Sequence, residues 1–319
     1  MDKIPVGVSE CLMGRAVRFD GGHKHNLYIT ETLAEYFELL PACPEVAIGL
    51  GVPRKPVRII VTDQGARVRG VENPGLDVTD ALAAQAKENA QAWPDLGGYI
   101  FMQNSPSCGV FAVKRYDTSG RLLGAEGRGA YAQKLIELLP LLPVEEAGRL
   151  CDLSLRDNFI TRVYAYYDWR QSVGTEPTAE KLIHFYSRYK YQVMAHSVAS
   201  YAAIGKLLSD LSRRPAKDIA DEFIRLFMGA LSNIAGRKGN TNTMMHLRGY
   251  LRWRLSPADN EELNHLIDAY RQGEVPLSVP LALLKHHLSV LDDPYLQQQT
   301  FWSPHPEKLG LRNAVVDNL

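Results

Sequence analysis

The sequence predicts an α/β N-terminal domain with a mainly parallel, Rossmann-like sheet, followed by an all-α C-terminal bundle. Three observations predict it. The chain has 319 residues, which at roughly 100 to 200 residues per domain suggests two domains. From Ile4 to about Ala112, short apolar runs of strand character alternate with segments of helical periodicity. Beyond Pro140 and Pro143, which interrupt the pattern, almost every periodic segment is helical. The expected division is 1–142 and 143–319.

Taken in order, Ile4 to Val8 forms a strand candidate leading into Cys11, and Ile29 to Leu40 has apolar residues at helical spacing. Val57 to Val61 is a second strand candidate, Asp77 to Ala92 a helix, and Gly98 to Met102 a third strand ending in the turn-rich Asn104-Ser105-Pro106-Ser107-Cys108-Gly109. Arg121 to Leu139 reads as a glycine-containing loop and the domain's last helix. Six helical segments follow, at about 145–170, 178–211 with a break, 216–234, 240–254, 258–272 and 279–291; the tail after Trp302 contains prolines and is expected to wrap loosely.

Composition excludes several classes. Lys and Arg number 36 and Asp and Glu 36, so no global field draws the chain to nucleic acid or an anionic membrane. Residues 1–150 carry 16 basic and 18 acidic side chains (−2) and the remainder 20 and 18 (+2). Neither half is a polyelectrolyte. No apolar run approaches a membrane span, and MDKIPVGVSE lacks the apolar stretch of a signal peptide. A soluble cytoplasmic chain is the expectation, with the four cysteines as thiols.

Those cysteines lie at 11, 43, 108 and 151. The first three sit among turn and small residues, a context that exposes a thiolate to backbone N–H donors and should lower its pKa. Their separations of 32 and 65 residues match no compact metal motif, so any shared metal would have to be assembled by the fold. Buried structural cysteines are the alternative.

The surroundings carry more. Ser9-Glu10-Cys11-Leu12-Met13-Gly14, Arg18 to Gly22 (RFDGG), Cys43 to Arg54 (CPEVAIGLGVPR) and Ser105 to Gly109 (SPSCG) together resemble the thiouracil desulfidase family. The segment with Tyr189-Lys190-Tyr191 and Met194-Ala195-His196-Ser197 resembles the YbgA-type helical domain often fused to that module. The first resemblance implies a 4Fe-4S cluster held by Cys11, Cys43 and Cys108, leaving one iron open. It also implies hydrolytic desulfuration of a thiolated pyrimidine, 2-thiouracil or a relative, to uracil and hydrogen sulfide without net redox chemistry. The second brings no chemistry. Cys151 matches no cluster motif and reads as a packing residue.

Within that frame, Glu45 is the expected proton-transfer group, because its tether to Cys43 keeps its carboxylate near the cluster; capping a helix after Pro44 is its other reading. Ser105 is a candidate to bond the leaving sulfur or orient water, or else an ordinary turn hydroxyl. Ser107 reads as a donor to substrate or to the cluster surroundings. Asp20 accepts from a ring N–H of the base or fixes its own turn. His23 and His25 read as surface residues, and Arg54 as a counter-charge or a structural ion pair. No dinucleotide fingerprint or Walker sequence occurs.

In the helical half, Arg237 to Arg254 (RKGNTNTMMHLRGYLRWR) holds five cations and no acid. Tyr250 and Trp253 could stack on bases beside Arg248 and Arg252, which would admit a thiolated tRNA as substrate. The simpler reading is a solvated basic face with the aromatics in the core. A noncatalytic electron carrier or redox sensor is the remaining alternative.

Overall fold

The computed structural model describes residues 3–63, 65–289 and 293–315. The chain divides into two compact units, Met1–Cys151 and Asp152–Leu319. The first contains eight strands: β1 Ile4–Ser9, β2 Phe37–Ala42, β3 Val57–Thr62, β4 Gly65–Gly70, β5 Gly98–Phe101, β6 Val113–Tyr116, β7 Leu122–Gly127 and β8 Val144–Glu146. Its helices are α1 Ala34–Tyr36, α2 Pro44–Ala47, α3 Thr79–Ala92 and α4 Ala130–Leu138.

Two four-stranded sheets form. One has the order β2-β1-β5-β8 and is parallel throughout. The other has the order β4-β3-β6-β7 and mixes one parallel pair with two antiparallel ones. The parallel sheet is the core of the unit. Every residue of β5 is buried, and Val6 and Val8 of β1 are fully so, as strands sandwiched between layers require. Tyr99 stacks on Phe101 with ring centroids 4.0 Å apart. Burying such a ring contributes about 2 kcal/mol. Opposite Tyr99 in register stands Gly7, where a Cβ would lie 2.3 Å from the Tyr99 ring; only glycine lets the two strands pair there.

Three local expectations change. The helical pattern from Ile29 holds only through a π-turn at Tyr28–Leu33 and α1; Phe37 to Ala42 instead form β2, in parallel register with β1. Pairing with β1 and burial of Phe37 override the local periodicity. Leu122 to Gly127 is a strand and not a loop, because it pairs with β6 at the sheet edge. The first unit runs past Leu142 to Cys151, since β8 adds to the parallel sheet beside β5.

The second unit is helical: α5 Leu153–Ser172, α6 Ala179–His196, α7 Val198–Ser209, α8 Ala216–Leu231, α9 Arg237–Leu251, α10 Pro257–Gln272, α11 Ser278–Ser289 and α12 Pro294–Gln297. Side-chain caps fix several starts, Asp152 for α5, Thr178 for α6 and Ser256 for α10. The expected break lies at Ser197, which leaves the helical region at φ −160° and caps α7 by accepting from Ser200 N. Trp169, Phe185, Phe223 and Phe227 form an aromatic core. The tail does not wrap loosely as far as Val315: Phe301, Trp302, His305 and Leu311 are all buried. Its last residues, 316–319, lie outside the described residues.

Candidate functional site

The parallel sheet explains why distant cysteines meet. Ser9 and Ala42 face each other at the ends of β1 and β2, so Cys11 and Cys43 emerge side by side at the carboxyl edge of adjacent strands. β5 flanks β1 on its other side, and the turn that follows it carries Cys108. Ligand sites in parallel α/β sheets lie beyond this edge. All three cysteines line one cavity of about 720 Å³.

Cys11 and Cys108 are buried and Cys43 half-buried. The expectation of lowered thiol pKa values is reversed. Burial pushes the Cys11 thiol up to about 11, against the opposing guanidinium of Arg18 and with the neighbouring Cys43 adding to the rise. Cys43 is raised as well, and Cys108 well above the ordinary range, by burial first and then by Glu45 and Cys43. Desolvation outweighs the turn donors that the sequence context suggested. Each thiol lies within electrostatic reach of another.

Glu45 lies in the first turn of α2, directly after Cys43 and Pro44. Its Oε1 accepts from Ser107 Oγ at 2.8 Å. Its Oε2 accepts from Arg54 Nε at 2.8 Å and Nη2 at 2.7 Å. Arg54 is in turn fixed by Nη1 bonds to Val17 O at 3.0 Å and Gly51 O at 2.9 Å. Glu45 and Arg54 both line the cavity.

Ser105 also lines the cavity, and its Oγ accepts from Ser107 N at 3.2 Å and Cys108 N at 3.0 Å. With the lone pairs so occupied, its own O–H remains to donate. Ser107 is wholly buried and turned to Glu45; it does not line the cavity, and its hydroxyl is tied to it only through that carboxylate. Asp20 is not part of the lining either. It accepts from Gly22 N at 3.0 Å and sits 3.7 Å from Arg18, the turn-fixing reading of that residue.

The cavity adds residues that the sequence reading left aside or gave no role in a site. Lys24, His25 and Asn26 reach the wall because Lys24 N and Asn26 N bond to Cys11 O and Leu12 O. His25 is thus at the rim. Asn104 holds φ +60°, the one positive φ of a non-glycine residue among the described residues. Cys151 is exposed and lines the same cavity, which is not a packing position. Behind Cys108, the buried carboxylate of Glu146 accepts from Val110 N at 2.7 Å and Phe111 N at 3.2 Å. None of these carries a local motif; each depends on the sheet bringing separate segments together.

In the helical unit, the expected core placement of Tyr250 in α9 and of Trp253 just beyond it is overturned. Trp253 is 84% exposed and Tyr250 46%, because Leu247 and Leu251 occupy the inward face. The Arg252 guanidinium sits 4.8 Å from the Trp253 ring centroid. His196 is not poised for chemistry: both ring nitrogens are engaged, by Gln192 and by Asn233 O.

The fold and cavity define a three-thiol α/β module joined to a helical bundle. Residues 6–147 match the 2-thiouracil desulfurase family, and the chain belongs to that family through this unit. Residues 190–306 match a family of unknown function, DUF1722. The chain is 29% identical over 161 residues to the uncharacterised protein YbgA of Escherichia coli K12, covering 50% of this chain and 95% of that one. It is 32% identical over 128 residues to the uncharacterised protein YbbK of Bacillus subtilis 168, covering 38% and 83%. A solved structure described as the [4Fe-4S]-dependent thiouracil desulfidase TudS is 30% identical, covering 50% of this chain and 100% of that one, with a TM-score of 0.38. Among the described residues, no helix is long and apolar enough to cross a membrane.

Proposed function

We propose that the α/β unit hydrolyses the carbon–sulfur bond of a thiolated pyrimidine such as 2-thiouracil, giving uracil and hydrogen sulfide. The observation that carries this reading is the convergence of Cys11, Cys43, Cys108 and Glu45 on one cavity, in a unit of the 2-thiouracil desulfurase family. The donor set suits a polynuclear iron–sulfur group. Cys11, Cys43 and Cys108, three residues with soft sulfur donors, line a shared space. Cys11, Cys43 and Cys108 would hold a 4Fe-4S cluster, which when bound supplies an iron with an open position, a soft Lewis acid for a thiocarbonyl sulfur.

The chain's own residues supply the rest. Glu45 takes one proton of the attacking water at Oε1 and delivers it to the sulfur, then relays the second proton of that water as the new carbonyl forms, so that both protons leave with the sulfur as hydrogen sulfide and no net charge or electron is left behind. Arg54 and Ser107 hold the carboxylate in one orientation for both transfers. The Ser105 hydroxyl donates to the sulfur or the base edge. Phe19, 40% exposed on the cavity wall, offers a face to the pyrimidine ring. All four cysteines are free thiols, and we place the reaction in the reducing cytoplasm.

The test is anaerobic reconstitution with iron and sulfide, followed by incubation with 2-thiouracil. Equimolar uracil and sulfide over many turnovers, with about four irons per chain, is the expected result. A loaded chain that releases no sulfide and shows a reversible one-electron couple would instead be an electron carrier.

A second reading concerns what carries the thiolated base. The exposed Trp253 and Tyr250 beside Arg252, in a run with no acid from 237 to 254, favour RNA as the carrier. Binding that weakens steeply with salt and is lost on neutralising Arg248 and Arg252 supports it; no binding at low salt ends it.

A further inference from the structure

Lys190, from the Tyr189-Lys190-Tyr191 segment of the helical unit, lines a cavity of about 470 Å³ that the proposed desulfuration does not use. Two helix faces form it. α6 presents Ile183, Tyr186 and Lys190, three and four residues apart, and α7 presents Tyr201, Gly205 and Leu208, four and three apart. Such spacings put each set on one side of its helix. Tyr295 of α12 supplies a third side. The wall is tied together from within, since Tyr186 Oη donates to Tyr201 O at 3.2 Å. A space of this size between helices, mostly apolar with a few polar groups, has the character of a small-molecule site.

Two observations say what it would hold. The first is the charge. Among the described wall residues Lys190 alone is charged. Its Nζ stands 5.7 Å from the centroid of the Tyr201 ring, itself part of the wall, and 5.8 Å from that of Tyr191. Burial opposes the charge, but the groups that act on it most after that are the hydroxyls of Tyr295 and Tyr201, and its pKa is raised. The nearby carboxylate of Asp168 is taken by Arg188 and Tyr189. Among the described residues Lys190 forms no ion pair. The second observation is Gly205. Glycine inside a helix is destabilising relative to alanine, yet Gly205 does not hold a positive φ, and a Cβ there would meet nothing within 4 Å. Gly239 differs, since a Cβ on it would run into Ala195 O. Neither backbone conformation nor crowding asks for glycine at 205. Its missing side chain leaves open space in the cavity that Lys190 lines.

We propose that this cavity binds a small aromatic anion, a planar ring bearing one carboxylate or phosphate, with the ring against the tyrosine walls and the anionic group on Lys190 Nζ. Tyr186, Tyr201 and Tyr295 give the ring apolar surface and preferred stacking geometry. A cage of aromatic rings can also hold an organic cation. Lys190 decides between the two, because a second positive charge in the same cavity is repelled and a negative one is paired. The site lies wholly in the helical unit and does not rest on the desulfuration reading.

The experiment titrates the full chain calorimetrically, at neutral pH and matched ionic strength, with four probes: naphthoate, uridine monophosphate, naphthylmethylammonium and cyclohexanecarboxylate. Saturable binding of at least one of the two aromatic anions is expected, with the ammonium and the cyclohexane compound at least about tenfold weaker. Tighter naphthoate assigns the anionic group as a carboxylate, and tighter uridine monophosphate assigns it as a phosphate. Lys190→Met, which keeps the apolar stem, should weaken the anion by about tenfold or more, and Gly205→Phe, which fills the open space, should abolish binding. In the wild-type chain, the bound anion should protect Lys190 from acetic anhydride, read by mass spectrometry. Three wild-type results overturn the proposal without relying on any variant to fold: no saturable binding of either aromatic anion, equal binding of the ammonium, or unchanged labelling of Lys190 at saturation. Undiminished binding in a folded G205F chain places the anion elsewhere and overturns it too.

Discussion

Ser107 and Glu45 meet across 62 residues of chain, the serine hydroxyl donating to Glu45 Oε1 at 2.8 Å. The bond ties the turn carrying Cys108 to the helix that follows Cys43. It also leaves the carboxylate with a neutral donor on one oxygen and a guanidinium on the other. Ser107→Ala should thus lower desulfuration turnover by about 10-fold to 100-fold while iron content stays near that of wild type, and Glu45→Gln should lower it by about 100-fold or more. Turnover and iron per chain, measured on the same reconstituted samples, check both. An E45Q chain that turns over normally would remove Glu45 from the mechanism.

The four cysteines should separate into two classes. Cys11→Ser, Cys43→Ser and Cys108→Ser each remove one of three convergent sulfurs and should abolish retention of iron. Cys151→Ser should leave iron content unchanged, even though Cys151 lines the cavity. Iron analysis and visible absorbance after anaerobic reconstitution read the outcome. Loss of iron in C151S would make that residue a fourth ligand and would close the position needed for substrate.

Glu146 is buried behind Cys108 with two backbone donors on one carboxylate oxygen. Glu146→Ala leaves Val110 N and Phe111 N unpaired, at a cost of about 1 to 3 kcal/mol. The midpoint of urea denaturation of the metal-free chain should fall accordingly, and Glu146→Gln, which keeps an acceptor oxygen, should fall less. Equal midpoints for wild type and E146A would show that solvent replaces the carboxylate.

His196 supplies a pH dependence. Burial lowers its pKa to about 4, against roughly 6.5 in the unfolded chain. Below pH 6.5 the unfolded state takes up a proton that the folded state refuses. The contribution of the neutral ring is therefore intact above about 6.5 and is lost progressively as pH falls to about 4, a loss of roughly 3 kcal/mol. Denaturation midpoints across that window should decline in wild type and decline less in His196→Gln. Parallel slopes in the two proteins would assign the acid sensitivity elsewhere.

Sequence made the layout of this site legible and left its electrostatics obscure. Strand alternation placed Cys11 and Cys108 just after strands, and the four motifs indicated which thiols belong together. Phe37 to Leu40 misled because their apolar spacing suits a helix, and only pairing with β1 turns them into a strand. The thiol pKa values were misread for a related reason: glycine and serine neighbours suggest exposure, but burial depends on what the rest of the sheet stacks over them. Trp253 ran the other way, an aromatic residue expected inside that lies outside because Leu247 and Leu251 already fill the inward face of α9. Arg54 became interpretable only once its guanidinium was seen against Glu45.

The placement of the three thiols on turns that follow β1, β2 and β5 has a consequence for biogenesis. Residues 11, 43 and 108 are brought together by parallel pairings, which form late because long loops must close first. During synthesis the first two thiols leave the ribosome well before the third, and no nascent fragment lacking β5 contains the complete set. Under the proposed function, insertion of a cluster would follow completion of the sheet and would meet thiols that burial keeps protonated, displacing protons as metal enters.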